Sequence, residues 1–273
     1  MKKVLVIGDL NEKLNGVLNR AKNDGVISDF INYEIYNNTQ NKTLSLSEFV
    51  DEFRNLSDAS DLIKNWIILK GNIHTKDFLK LIINFEKQKF SCSNNLFLSH
   101  LAYLSNPSND IGFYMSDAAL NVTQITDANT LKNIIKNSVD YISKIKGYSN
   151  PSMVKTAIVL AARNEKIPGY DVANNVINNN SLYDLNLLQF DECFSKDSFI
   201  NKNKVSDSFE FKIPELLITP DITTGNCIWK SLTILNNWNS CGYLTGGQMN
   251  VVLLSRSDSA ESYYKSIKSL SKI

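Results

Sequence analysis

Short apolar runs, each the length of a buried strand, alternate with helix-spaced apolar stripes along almost the whole chain. That alternation leaves few folds open. Lys3 to Gly8 is such a run, and Leu14, Val17, Leu18 and Ala21 then recur at helical spacing. Trp66 to Leu69 is a second run, stopped by Lys70-Gly71, and Lys76 to Phe85 reads as a helix. Phe113 to Met115 predicts a strand, and Leu131, Ile134, Ile135, Val139 and Ile142 form one helical stripe. Thr156 to Ala161 predicts a strand and Val172 to Ile177 a helix. Leu216 to Thr219 is strand again, before a helix with Ile228, Leu232 and Leu235 on one side, and Val251 to Leu254 is the last run. The pattern predicts an α/β protein with a largely parallel sheet.

The 273 residues suffice for one large domain or two modest ones. With 29 basic against 28 acidic residues the net charge is +1. Such a balance argues against nucleic-acid or membrane-surface partners drawn by bulk charge. No stretch approaches the roughly 20 apolar residues of a membrane span, and Asp9 cuts off the N-terminal run too early for a signal peptide. Cys92, Cys193, Cys227 and Cys241 are scattered, without CxxC spacing, and histidines do not cluster. Disulfides and structural zinc are therefore not expected, and a reducing cytoplasm fits.

In sheets of this kind, ligands gather at the carboxyl ends of strands. Lys70, Ser116-Asp117, Thr224 to Asn226 and Ser255-Arg256 all follow strands and are expected to converge on one cleft. Twice, a buried strand delivers small polar residues or an arginine to a helix start. One case is Pro220-Asp221 followed by Thr223-Thr224-Gly225-Asn226; the other is Ser255-Arg256. The first N–H groups of a helix lack intrahelical partners and its dipole favours negative charge, so both places suit an anion such as phosphate.

Several segments resemble one enzyme family. PDITTGNCIWKSL is similar to the PDxxxGNxxYKSL segment of the phosphate acetyl/butyryl transferases, with Trp229 in the tyrosine place. VVLLSRSDSAES resembles the IVLTSRxDSxE ending of the butyryltransferase branch. YMSDAALNV (114–122) resembles FLTDAALNI, IILKGNIHTKDFLKLI (67–82) resembles ILMKGxxxTxxLLKAVL, and LFLSHLA (96–102) resembles LLSHVA. The blocks stand in family order and cover most of the chain.

The resemblance implies a two-domain α/β/α fold with mixed, largely parallel sheets, related to isocitrate and isopropylmalate dehydrogenases. Residues 1–127 with 243–273 would form the first domain and 128–242 the second, with the active site in a cleft between them. The C-terminal segment would return to the first domain. The implied reaction converts acyl-CoA and phosphate to acyl phosphate and CoA, in a homodimer and without metal or nicotinamide cofactor. A metal-dependent decarboxylating dehydrogenase of the related fold fits poorly, because no strand-end cluster of aspartates is present for a divalent cation.

Such a transfer must hold two anionic substrates together, offset their repulsion and stabilise a tetrahedral oxyanion. Arg256 suits this work because guanidinium binds phosphate bidentately and keeps its charge. Ser255 is placed to hydrogen-bond the sulfur or the oxyanion. Asp258 is the nearby candidate base, although Asp258-Ser-Ala-Glu261 also fits a capping box opening the last helix. The aspartate that the acetyltransferase branch carries seven residues after the serine is Ser262 here. Thr224, Gly225 and Asn226 would offer backbone N–H groups and an amide to phosphate, and Lys230 would reach a CoA phosphate. Lys70, Gly71, Thr75, Ser116, Asp117, Asn121, Asp221 and Gly246 complete the expected substrate-binding set, with Asp117 and Asn121 shaping the site rather than reacting. Gly246-Gly247 is read either as a close approach for ligand or as a turn. His100 and His74 are read as structural.

The chain also departs from the family. The DGPLALDNA block survives only as LNLLQFDEC (185–193), keeping Asp191, and Ser91 stands where an arginine is usual. The alternative reading is a weakened or inactive paralogue that binds CoA or acyl phosphate.

Overall fold

The structure, a computed structural model, describes residues 1–33, 59–90, 96–108, 111–160, 167–189 and 214–273. In chain order the first elements are β1 (Lys2–Ile7), α1 (Glu12–Asn23), β2 (Ile27–Tyr33), α2 (Ala59–Asn65), β3 (Trp66–Lys70) and α3 (Thr75–Lys89). Then come β4 (Ser99–Ser105), β5 (Gly112–Ser116), α4 (Ala128–Lys146), β6 (Lys155–Leu160), α5 (Tyr170–Asn178) and β7 (Asp184–Gln189). The last are β8 (Leu216–Ile218), α6 (Ile222–Lys230), β9 (Asn239–Thr245), β10 (Asn250–Val252) and α7 (Ala260–Leu270). The chain divides into two compact units. Unit 1 is Met1–Leu98 with Cys241–Ile273, and unit 2 is Ser99–Ser240. The sequence had suggested divisions after Asp127 and Gly242.

Within unit 1 the strands run in the order β2-β1-β3-β10-β9. β1 pairs in parallel with β2 and β3, and β3 with β10; β9 lies antiparallel to β10. All five residues of β3 are buried, as are all of β1 except Lys3. Both strands are covered on both faces, which is why they read as continuous apolar runs. α1 starts on Asn11, whose side chain accepts from Leu14 N–H, and buries Leu14, Val17, Leu18 and Ala21. α7 packs on α1. Arg20 binds Glu261 at 2.8 Å and lies 3.8 Å over the Tyr264 ring, and the Tyr264 hydroxyl donates to Asp24 at 2.7 Å.

In unit 2, β5, β8, β6 and β7 are parallel neighbours, and β4 runs antiparallel to β5. α4 is capped by Asp127, whose carboxylate accepts from Asn129 and Thr130 N–H, and ends on Gly147 in the left-handed region at φ 70°. The expected α4 stripe, Leu131 to Ile142, is fully buried.

The helix after β8 is shorter than its apolar spacing predicts. It ends at Lys230 and widens into a π-type turn over Ser231–Leu235. Leu235 is 76% exposed instead of lying on a buried face. The Thr233 hydroxyl donates to the Trp229 carbonyl and the Asn236 amide to the Ser231 carbonyl, and such local bonds compete with regular helix. Among the described residues no helix is long and apolar enough to cross a membrane.

Candidate functional site

Leaving β1, the chain goes to β2 on one side and later returns to β3 on the other. The carboxyl ends of β1 and β3 therefore flank a topological switch point, the usual crevice for ligands in a parallel sheet. Gly71 lets the two ends approach. Its N–H donates to Ile7 O at 2.9 Å and Asn72 N–H to Asp9 O at 2.9 Å, and a Cβ on Gly71 would come within 3.0 Å of the Gly8 backbone.

Lys70 closes β3 with only 3% of its surface exposed. Among the described residues its ammonium has one hydrogen bond, to the Gly71 carbonyl at 3.5 Å. Burial, and then the positive charge of Arg256, lower its pKa from 10.5 to about 8. Arg256 reaches this place from the segment after β10, the parallel neighbour of β3. Neither cation has a carboxylate partner among the described residues. Two like charges held close with no counter-charge favour an anion beside them.

The segment bearing Arg256 is tied down from three sides. Asp258 Oδ2 accepts from Ser255 N–H at 2.7 Å, and Asp258 N–H donates back to Ser255 O at 3.0 Å. The Tyr263 hydroxyl donates to Ser255 O at 3.1 Å. Lys13 of α1 donates to the carbonyls of Arg256 and Asp258, both at 2.8 Å, and lies 5.3 Å over the Tyr263 ring. Burial, reinforced by Asp258 and opposed by Arg256, raises the Tyr263 phenol pKa and keeps it protonated as a donor. The guanidinium and the Ser255 hydroxyl stay exposed; the latter lies 3.0 Å from Ser257 Oγ. Lys13 and Tyr263 were not legible in the sequence as site residues, since each sits beside an apolar helix stripe and belongs to no motif.

Asp258 does not open a capping box. The N-cap of α7 is Ser259, whose hydroxyl accepts from Ser262 N–H at 3.1 Å. Asp258 is buried with its carboxylate on the Ser255 amide, so it braces the segment.

The strand ends of unit 2 are built differently. The buried Asp117 carboxylate accepts from His100, Ala119 and Leu120 N–H and from the Asn121 amide, at 2.7–2.9 Å. The Ser116 hydroxyl donates to His100 O at 2.9 Å, and the His100 ring stacks on Trp229 at 4.9 Å. Asp221 caps α6, accepting from Thr224 N–H at 2.8 Å and from the Thr224 hydroxyl at 2.9 Å. Gly225 N–H donates to Asp221 O at 3.1 Å. The N–H groups of Thr224 and Gly225 that were expected to cradle phosphate are therefore engaged by Asp221, whose negative charge occupies the anion position. Gly225 serves close packing, since a Cβ there would stand 2.8 Å from Asp117 O. Asn226 is exposed, and Lys230 is half-buried with its ammonium 5.2 Å over the Trp229 ring.

One expected residue stands apart. Gly246, at φ 94°, lies in the β9–β10 turn at the amino end of β10, whereas Lys70 lies at the carboxyl end of parallel β3. Gly247 leaves room for buried Glu86, whose carboxylate accepts from Gln248 and Met249 N–H at 2.8 and 2.9 Å. The Gly-Gly pair therefore makes a turn held by Glu86. Thr75 is the exposed first residue of α3, whose cap His74 makes no side-chain capping bond. Ser91, Cys92, Asp191, Cys193 and the polar stretch Ser195 to Ser208 lie outside the described residues. Among the described residues no group of three or more His, Cys, Asp or Glu is placed to hold a metal ion.

Comparisons with known proteins bear on what this site handles. No family model matches the chain. Over 210 residues, 74% of the chain, it is 27% identical to the "Probable phosphate butyryltransferase" of Bacillus subtilis (strain 168), covering 66% of that protein, just under two thirds. It is 26% identical to the phosphate butyryltransferase of Clostridium acetobutylicum, over 98% of this chain and 91% of that one. The chain is similar to the phosphate butyryltransferases. In fold it resembles a branched-chain phosphotransacylase from Enterococcus faecalis V583, with a TM-score of 0.74 at 24% identity over 99% of this chain and 98% of that one. Of the blocks shared with the phosphate acetyl/butyryl transferases, Lys70-Gly71 and Ser255-Arg256 belong to the unit 1 site. Asp117 to Asn121 and Asp221 to Asn226 form the bonded framework of unit 2.

Proposed function

We propose that the chain is a phosphate acyltransferase of the phosphate butyryltransferase type. It transfers a short acyl group directly from CoA to inorganic phosphate, giving acyl phosphate and free CoA. The observation that carries this reading is the Lys70–Arg256 pair, two neighbouring cations without a carboxylate partner among the described residues. Sequence likeness to phosphate butyryltransferases supports it.

A phosphate oxygen attacks the thioester carbonyl, the C–S bond breaks, and the proton of HPO₄²⁻ ends on the departing thiolate, so no net proton is gained or lost. Arg256 offsets the charge of the attacking dianion and of the oxyanion. Ser255 donates its hydroxyl to the oxyanion or the sulfur. Asp258 and Lys13 hold the segment in place, and no general base is needed beyond phosphate itself. For CoA the reading keeps Asn226 and Lys230 on α6. It also carries a homodimer, a cytoplasmic location and a reaction without metal or nicotinamide.

The test is to offer acetyl-, propionyl-, butyryl- and isobutyryl-CoA with phosphate and trap acyl phosphate with hydroxylamine. Hydroxamate that requires both substrates is expected, its yield ranking the chains. Folded protein that binds CoA yet gives no hydroxamate from any of the four would refute the reading.

A further inference from the structure

Lys70 is costly as a simple structural residue. A lysine 3% exposed is largely desolvated, and among the described residues this one meets one distant carbonyl. Among the described residues, the ionisable groups at this end of the neighbouring elements are Asp9 after β1, Glu12 and Lys13 at the start of α1, His74, Lys76 and Asp77 at the start of α3, and Arg256 and Asp258 beyond β10. Of these only Arg256 acts appreciably on it, and it is repulsive. Asp258 is turned to the Ser255 amide and Lys13 to backbone carbonyls. The arrangement is therefore a buried amine at the end of β3 and an exposed guanidinium on the segment that follows its parallel neighbour β10, at the switch point of the unit 1 sheet.

We infer that Lys70 is the second cation of the phosphate subsite, a positioning residue that takes up a proton as the phosphate dianion enters. The inference rests on the acyl-transfer reading for the identity of the anion. A dianion beside both groups replaces repulsion with attraction and restores the protonated amine. By linkage, the proton that phosphate draws in must equally strengthen phosphate binding. The site then prefers a dianion over a monoanion, because only two negative charges match both cations. Phosphate affinity falls as pH rises past about 8, where the unliganded amine loses its proton.

Calorimetric titration of the full chain with inorganic phosphate at pH 8.5, in two buffers of different ionisation enthalpy, counts the protons directly. Phosphate is itself a dianion there. Net proton uptake per phosphate is expected, falling towards zero at pH 6.5 once the phosphate's own protonation is subtracted. Lys70→Arg should bind phosphate without uptake, and Lys70→Met should bind it about tenfold or more weakly, also without uptake. Wild-type binding without uptake would overturn the inference, as would uptake that persists in Lys70→Met or a failure of phosphate to bind. Uptake without any acyl transfer would overturn the enzymatic reading and leave the two-cation subsite standing.

Discussion

At the strand ends of unit 2 the Asp117 carboxylate meets four N–H donors and the Asp221 carboxylate caps α6. At the strand ends of unit 1, the charge of Arg256 acts on buried Lys70, and neither has a carboxylate partner among the described residues. Both places follow parallel strands and both carry small polar and charged residues, so they look alike in sequence. Completed hydrogen-bonding separates them. A buried polar group whose partners are all inside the fold is framework, whereas charges left to repel one another are poised for something from outside.

Removing one group on each side should break that contrast most visibly. Arg256→Ala is expected to lower kcat/KM by about a thousandfold, since it deletes a charge-assisted contact to the reacting phosphate. Its melting temperature should stay close to wild type, because the side chain is exposed and makes no ion pair among the described residues; thermal scans beside initial rates check both. Asp117→Ala should do the reverse. It strands the buried His100 N–H and the part-buried N–H groups of Ala119 and Leu120 and is expected to cost roughly 3–5 kcal/mol, read by urea denaturation.

Lys70→Met sharpens the comparison through its sign. The folded-state pKa of about 8 lies below the ordinary 10.5, so the native protein binds fewer protons between those values than the unfolded chain. The cost of burying the charged amine is fully present below pH 8 and is relieved as pH rises towards 10.5. In phosphate-free buffer at pH 7, Lys70→Met should therefore stabilise the protein by roughly 2–3 kcal/mol, with the gap to wild type closing at alkaline pH. A variant that is more stable yet binds phosphate less well would mark the lysine as held for function. The smallest effect is expected of Asp221→Ala, which removes a helix cap worth about 1 kcal/mol and leaves the KM for phosphate unchanged. A several-fold change in that KM would return the phosphate site to α6.

Much of the fold is legible because β1, β3, β6, β8 and β10 are buried on both faces and so read as apolar runs. β2 is mostly half-buried, ISDFINY, and gives no such run. β9, NSCGYLT, is largely buried but built from small and polar residues, so nothing in its pattern announces a strand. The site is legible where chemistry and motif coincide, at Lys70-Gly71 and Ser255-Arg256. It is illegible where long-range packing supplies the function: Lys13 lies more than 240 positions from the carbonyls it holds. The sequence names the start of α6 but not what satisfies it. Asp221 at the cap position was the available signal that a side chain, rather than a ligand, meets those N–H groups.

The most direct test is phosphate-dependent release of CoA thiol from butyryl-CoA by wild type, Arg256→Ala and Asp221→Ala, measured side by side. The account predicts release that needs phosphate, falls by about a thousandfold in Arg256→Ala and stays within a few-fold of wild type in Asp221→Ala. Retained release in Arg256→Ala, with loss in Asp221→Ala that is still folded, would place the phosphate at the helix of unit 2 and contradict it.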